Sequence, residues 1–152
     1  MANVNLNYNP PFTPPQGDTR QWAIDEFIRL GELITGLFDR GEFTATLTGF
    51  TSATTGQITY ERIGDVVSLS VRTDITGTSN ATTMTLTGLP VQIIPEGSRS
   101  CLVRVQDAGT WMLGRAVIAA DGSVTFYTNP GTGAFTASGI KGLGQLDTTY
   151  TL

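Results

Sequence analysis

The stretch Gly41-Glu42-Phe43-Thr44-Ala45-Thr46-Leu47-Thr48-Gly49 decides the fold. Phe43, Ala45 and Leu47 alternate with Thr44, Thr46 and Thr48. That period of two places apolar side chains on one face of a strand and hydroxyls on the other. Threonine suits the solvated face, because its branched Cβ packs on the pleat while its hydroxyl stays in water. The alternation returns at Ile58 and Tyr60, at Val67, Leu69 and Val71, and at Met84 and Leu86 among Thr83, Thr85 and Thr87. Further runs cover 101–106, 111–119, 123–128 and 146–152. Gly64-Asp65, Asp107-Ala108-Gly109 and Asp121-Gly122 read as hairpin-like turns between them. About eight or nine short strands at this spacing predict a mainly β protein, an antiparallel β-sandwich or jelly-roll-like domain over residues 41–152. Composition agrees: 25 threonines and 18 glycines stand beside only 14% charged residues, against roughly 25% in an average soluble domain.

Upstream of the strands the period changes. Ala23, Phe27, Leu30, Ile34 and Leu37 recur by fours and threes, an a/d seam of about two heptads, widened by Ile24, Ile28 and Leu33. Asp25, Glu26, Arg29 and Glu32 take mostly the other face. Asp18 is a good N-cap, with Gln21 three residues on, and Asp39-Arg40-Gly41 reads as the close. The spacing therefore predicts a helix over 18–40, an oligomerising stalk in a short bundle, with folding back onto the chain's own β-domain as the competing arrangement. Phe27, a large aromatic at an a position, fits a trimer or larger bundle better than a tight dimer.

Residues 1–17 form a proline-rich arm. Asn9-Pro10-Pro11-Phe12-Thr13-Pro14-Pro15 fixes an extended, polyproline-like backbone. Leu6, Tyr8, Pro10, Pro11 and Phe12 supply apolar anchors that a solvated linker does not need, so the arm reads as one that docks on another protein.

The chemistry that this chain excludes is as informative. It has no histidine, which removes Ser-His and Cys-His nucleophile pairs and the commonest transition-metal ligand. Its one cysteine, Cys101, excludes an intrachain disulfide and reads as a buried structural thiol. Net charge is −4 with scattered basic residues, so nucleic acid is not an expected partner. The apolar stretch 22–38 is broken by four charged residues and is no membrane span, and the first residues lack the pattern of a signal peptide. The expectation is a protein made in a cytoplasm and assembled there into something larger. Glu42, Glu61, Asp65, Asp74, Glu96, Asp107, Asp121 and Asp147 are the carboxylates from which a glycosidase pair would come, but none share a motif, and no enzyme or cofactor is expected. Gly139-Ile140-Lys141-Gly142-Leu143-Gly144 lacks the P-loop spacing and reads as a loop. Trp111, Tyr127 and Tyr150 are candidates for stacking on a sugar, with core packing as their commoner fate, and the polar loop at 76–82 is a candidate for glycan or protein contacts.

These runs resemble a known class. Gly41–Gly49, Thr55-Gly56-Gln57-Ile58-Thr59-Tyr60, Ile63-Gly64-Asp65-Val66-Val67, Thr76-Gly77-Thr78-Ser79-Asn80-Ala81-Thr82 and Leu86-Thr87-Gly88-Leu89-Pro90 are similar to β-domains of tailed-bacteriophage virion proteins. Tyr8-Asn9-Pro10-Pro11 with Asp18-Thr19-Arg20-Gln21-Trp22 resembles the attachment region of small phage appendages, short tail fibres and head-fibre-like proteins. The resemblance implies a structural virion protein, usually a homotrimer. Its arm would meet a tail, neck or capsid protein, and its β-domain would face a host-surface glycan or protein. A capsid decoration, cement or head-fibre protein is the alternative that it leaves open.

Overall fold

In a computed structural model of the protein, residues 19–152 are described. The chain divides into two compact units, one carrying the helix and the other running from Leu37 to Leu152. The helix α1 spans Thr19–Leu37. Its polar face is laced by local pairs: Gln21 Nε2 donates to Asp25 at 2.9 Å, and Arg29 bridges Glu26 at 2.8 Å. Asp18, the expected cap, lies outside the described residues.

The second unit is one ten-stranded antiparallel sheet that curls into a sandwich-like body, as the alternation predicts. Strand β1 (Phe38–Thr48) begins where the helix ends. Asp39, Arg40 and Gly41, expected to close the helix, pair instead with Arg62, Glu61 and Tyr60 of β2 (Thr54–Ile63). Gly41 has a packing reason to be there: a Cβ at this position would lie 2.8 Å from Tyr60 Cε1. Gly64-Asp65 turns β2 into β3 (Val66–Val71), with Gly64 at φ +59°. Strands β4 (Ile75–Thr78), β5 (Met84–Thr87) and β6 (Arg99–Asp107) follow. The hairpin from β6 to β7 (Thr110–Ile118) turns on Ala108 and Gly109, both with positive φ, and β8 (Val124–Tyr127) pairs beside it.

The last two strands close the curl. β9 (Ile140–Leu143) pairs with β4 and with the end of β6, while β10 (Leu146–Thr151) pairs with β3. Only Gly144 and Gln145 separate them, so β10 is carried alongside the free half of β6. There Thr148 Oγ1 donates to Leu102 O at 3.3 Å, and Arg99 donates to Thr151 O and Leu152 O at 2.9 and 3.0 Å. The enclosed face holds Ala45, Leu47, Ile58, Val67, Met84 and Phe126 among a continuous buried core. Each of the larger side chains among them contributes roughly 1.5–3 kcal/mol of burial.

Both ends of the curl are plugged. At the end where the chain enters β1, a 3-10 turn (Val91–Ile93) buries Ile93 completely. Tyr150 donates to Ile93 O at 2.6 Å, and Gln92 Nε2 donates to Tyr60 Oη at 2.6 Å. At the other end sit Phe50, Phe135 and Lys141. The expected loop at 139–144 is thus in part a strand with a buried lysine. Likewise, the first residues of the loop expected at 76–82 belong to β4.

Candidate functional site

Three surfaces are exposed that a bare core does not need. The first is the seam of α1. Phe27 is 74% exposed, Ile34 58% and Leu30 39%, while Ala23 and Leu37 are half-buried; Ile24, Ile28 and Leu33 on its flanks are exposed as well. Side chains of this size on a water-facing helix leave unrealised the burial that normally holds such a helix together. The five arm residues Leu6, Tyr8, Pro10, Pro11 and Phe12 lie outside the described residues.

The second surface is a polar groove of about 760 Å³ on the outer face of β1, β2, β3 and β10. Strand register builds it. Glu42 stands opposite Thr59, Thr59 opposite Ser70, and Ser70 opposite Asp147; the next row runs Arg40, Glu61, Ser68 and Thr149. Ser70 Oγ donates to Asp147 within the groove, and Arg72 lines its edge. Three of the eight carboxylates singled out in the sequence, Glu42, Glu61 and Asp147, therefore meet on one face. The arrangement offers hydroxyls, carboxylates and guanidinium groups as hydrogen-bond partners, which suits a hydroxylated ligand. Three of the others hold turns and loops. Asp107 accepts from Thr136 N and Oγ1 at 2.8 and 2.9 Å, and Asp74 accepts from Gln145 N at 2.7 Å. Asp121 accepts from Ser123 N and Oγ, hydrogen bonds that hold its carboxyl below the usual range. No group of three or more metal-ligating side chains occurs among the described residues.

The third surface is the outer face of β6, β7 and β8. Arg104 stacks on Trp111 with Cζ 4.2 Å from the ring centre, and Arg115 lies over Tyr127 at 5.0 Å, with Leu102 and Leu113 exposed between them. The aromatic candidates thus part company: Trp111 and Tyr127 lie half-buried under arginines, whereas Tyr150 is core. Burial pushes the Tyr150 phenol well above its ordinary range. Cys101 faces the interior, and burial raises its thiol, as befits a structural cysteine. In the 76–82 segment Ser79 donates to Thr136 O at 2.6 Å and Asn80 to Phe50 O at 2.8 Å, while Thr76, Thr78 and Thr82 stay exposed.

In the sequence, Glu61 reads as part of a solvated strand face, whereas Arg40 is expected at the helix close. The meeting of the groove residues was hidden, because the pairing of β10 with β3 joins positions more than seventy residues apart.

No protein-family model matches the chain, and no curated protein matches it. Among solved structures it is distantly similar to the reovirus attachment protein sigma1, solved in complex with alpha-2,3-sialyllactose. The TM-score is 0.43 at 13% identity, and the likeness covers 76% of this chain and 66% of that chain, slightly under two thirds of its length.

Proposed function

We propose that the protein is a non-enzymatic structural component of a tailed-phage particle, a short tail fibre or appendage. The arm 1–17 attaches it to a tail, neck or capsid protein, α1 gathers copies into a homotrimeric stalk, and the β-unit is displayed for host-surface attachment. The observation that carries this reading is the exposed seam of α1. A helix of 19 residues is about 28 Å long and marginal alone in water. Covering Phe27, Leu30 and Ile34 with identical seams supplies the missing burial, and the size of Phe27 favours three copies over two. The outer groove, with its hydroxyls and carboxylates, is the surface the β-unit offers to the hydroxyls of a host glycan.

The test is location on the particle. Gold-labelled antibody against the β-unit is expected at the tail or neck of purified virions, with a few dozen copies at most by quantitative mass spectrometry. Labelling over the whole capsid at hundreds of copies would move the protein to a decoration or cement role. Absence from purified particles would end the virion reading.

A further inference from the structure

The β-unit carries an apolar collar at the end where the chain enters it. Phe38 stands opposite Ile63, and Ile63 opposite Val66, so the three form one row across β1, β2 and β3 on the outer face. They are 56%, 56% and 47% exposed. Val91, in the 3-10 turn that plugs this same end, is 82% exposed, and Arg62 ties the turn to β2 by donating to Gln92 O at 2.9 Å. The next row on that face, Arg40, Glu61, Ser68 and Thr149, is polar, so the apolar character stops within one row. Four of the seven exposed large apolar side chains described in this unit (the others being Leu102, Leu113 and Ile140) therefore gather at one end.

We infer that this collar is a second interface between copies of the chain, continuing the stalk into the base of the β-units; the inference rests on the stalk reading. Its occupant follows from connectivity. Packed helices lie about 8–10 Å apart, and Phe38 follows the last helical residue by one Cα step of about 3.8 Å. In a parallel bundle the Phe38 residues of neighbouring copies are therefore on the order of 10–20 Å apart, whichever way each β-unit then turns. The collar is placed where closed symmetry brings copies together, and its apolar side chains meet their counterparts there. A different partner would have to compete for a site that the stalk fills with copies of the same chain.

Sedimentation equilibrium on the full chain tests this, comparing Ile63→Lys, Val66→Lys and Val91→Lys with Leu102→Lys, an equally exposed outer-face position away from the collar. Each collar substitution is expected to raise the concentration needed for association roughly tenfold or more, with Leu102→Lys unchanged. Val91→Lys lies outside the strands, so it reports even where a strand substitution disturbs folding, which circular dichroism reads in parallel. An unaltered chain that stays monomeric overturns the stalk reading, and this inference with it. An unaltered chain that associates, with collar variants matching it or matching Leu102→Lys, overturns the collar alone.

Discussion

Lys141 is fully buried, donates to Ala81 O at 2.7 Å and Thr83 O at 2.9 Å, and lies between the rings of Phe50 and Phe135 at 5.4 and 5.2 Å. Its charge is held by carbonyl dipoles and ring faces instead of a carboxylate ion pair, with burial pushing its pKa down and the charge of Asp107 opposing that shift. Lys141→Met keeps most of the volume but removes both ammonium hydrogen bonds, leaving Ala81 O with only the Ser79 hydroxyl at 3.2 Å. It is expected to lower stability by about 1–3 kcal/mol in urea unfolding at unchanged slope. A neutral or stabilised variant would mean that desolvating the ammonium costs more than its contacts return. The neighbouring Ile140 points outward and is 46% exposed. Hydropathy assigns these two side chains the opposite way round, and so the segment reads as a loop.

At the scale of elements, legibility followed local chemistry. Strands with strict Thr/apolar alternation, such as β1 and β5, were readable, as were α1 and the turns at Gly64-Asp65 and Asp121-Gly122. β4 and β9 were not, because Gly77, Gly142 and Lys141 break the hydropathy pattern, and their pairing with each other is long-range. Nor does any local signal announce that a three-residue turn plugs the curl. That plug hangs on Tyr150 in β10, whose phenol burial keeps protonated. Above the ordinary phenol pKa of 10.0 the unfolded chain releases a proton that the folded chain retains. This tyrosine's stabilisation is therefore present below pH 10 and drains as pH rises further. Tyr150→Phe is expected to lose some stability at neutral pH and to show a shallower decline in urea midpoint above about pH 10. Lys141 titrates in the opposite sense, and the difference between variant and unaltered protein removes its contribution. Parallel curves for the two proteins would contradict the buried phenol.

For the whole molecule, the proposed division of labour reads along the chain: a helix with an apolar seam, an apolar collar where the sheet begins, and a hydroxyl-rich face beyond it. The seam was visible in the sequence, because 3.5-residue spacing is a local property. The groove and the collar were not, since both are assembled by register between strands. That division of labour depends on α1 being an interface between copies. Light scattering of the full chain beside the double variant Phe27→Glu/Ile34→Glu tests that most directly. The predicted result is three times the 16.2 kDa chain mass for the unaltered protein and a single chain mass for the variant. An unaltered protein that scatters as one 16.2 kDa chain at every concentration, or a trimer that survives both substitutions, would contradict it.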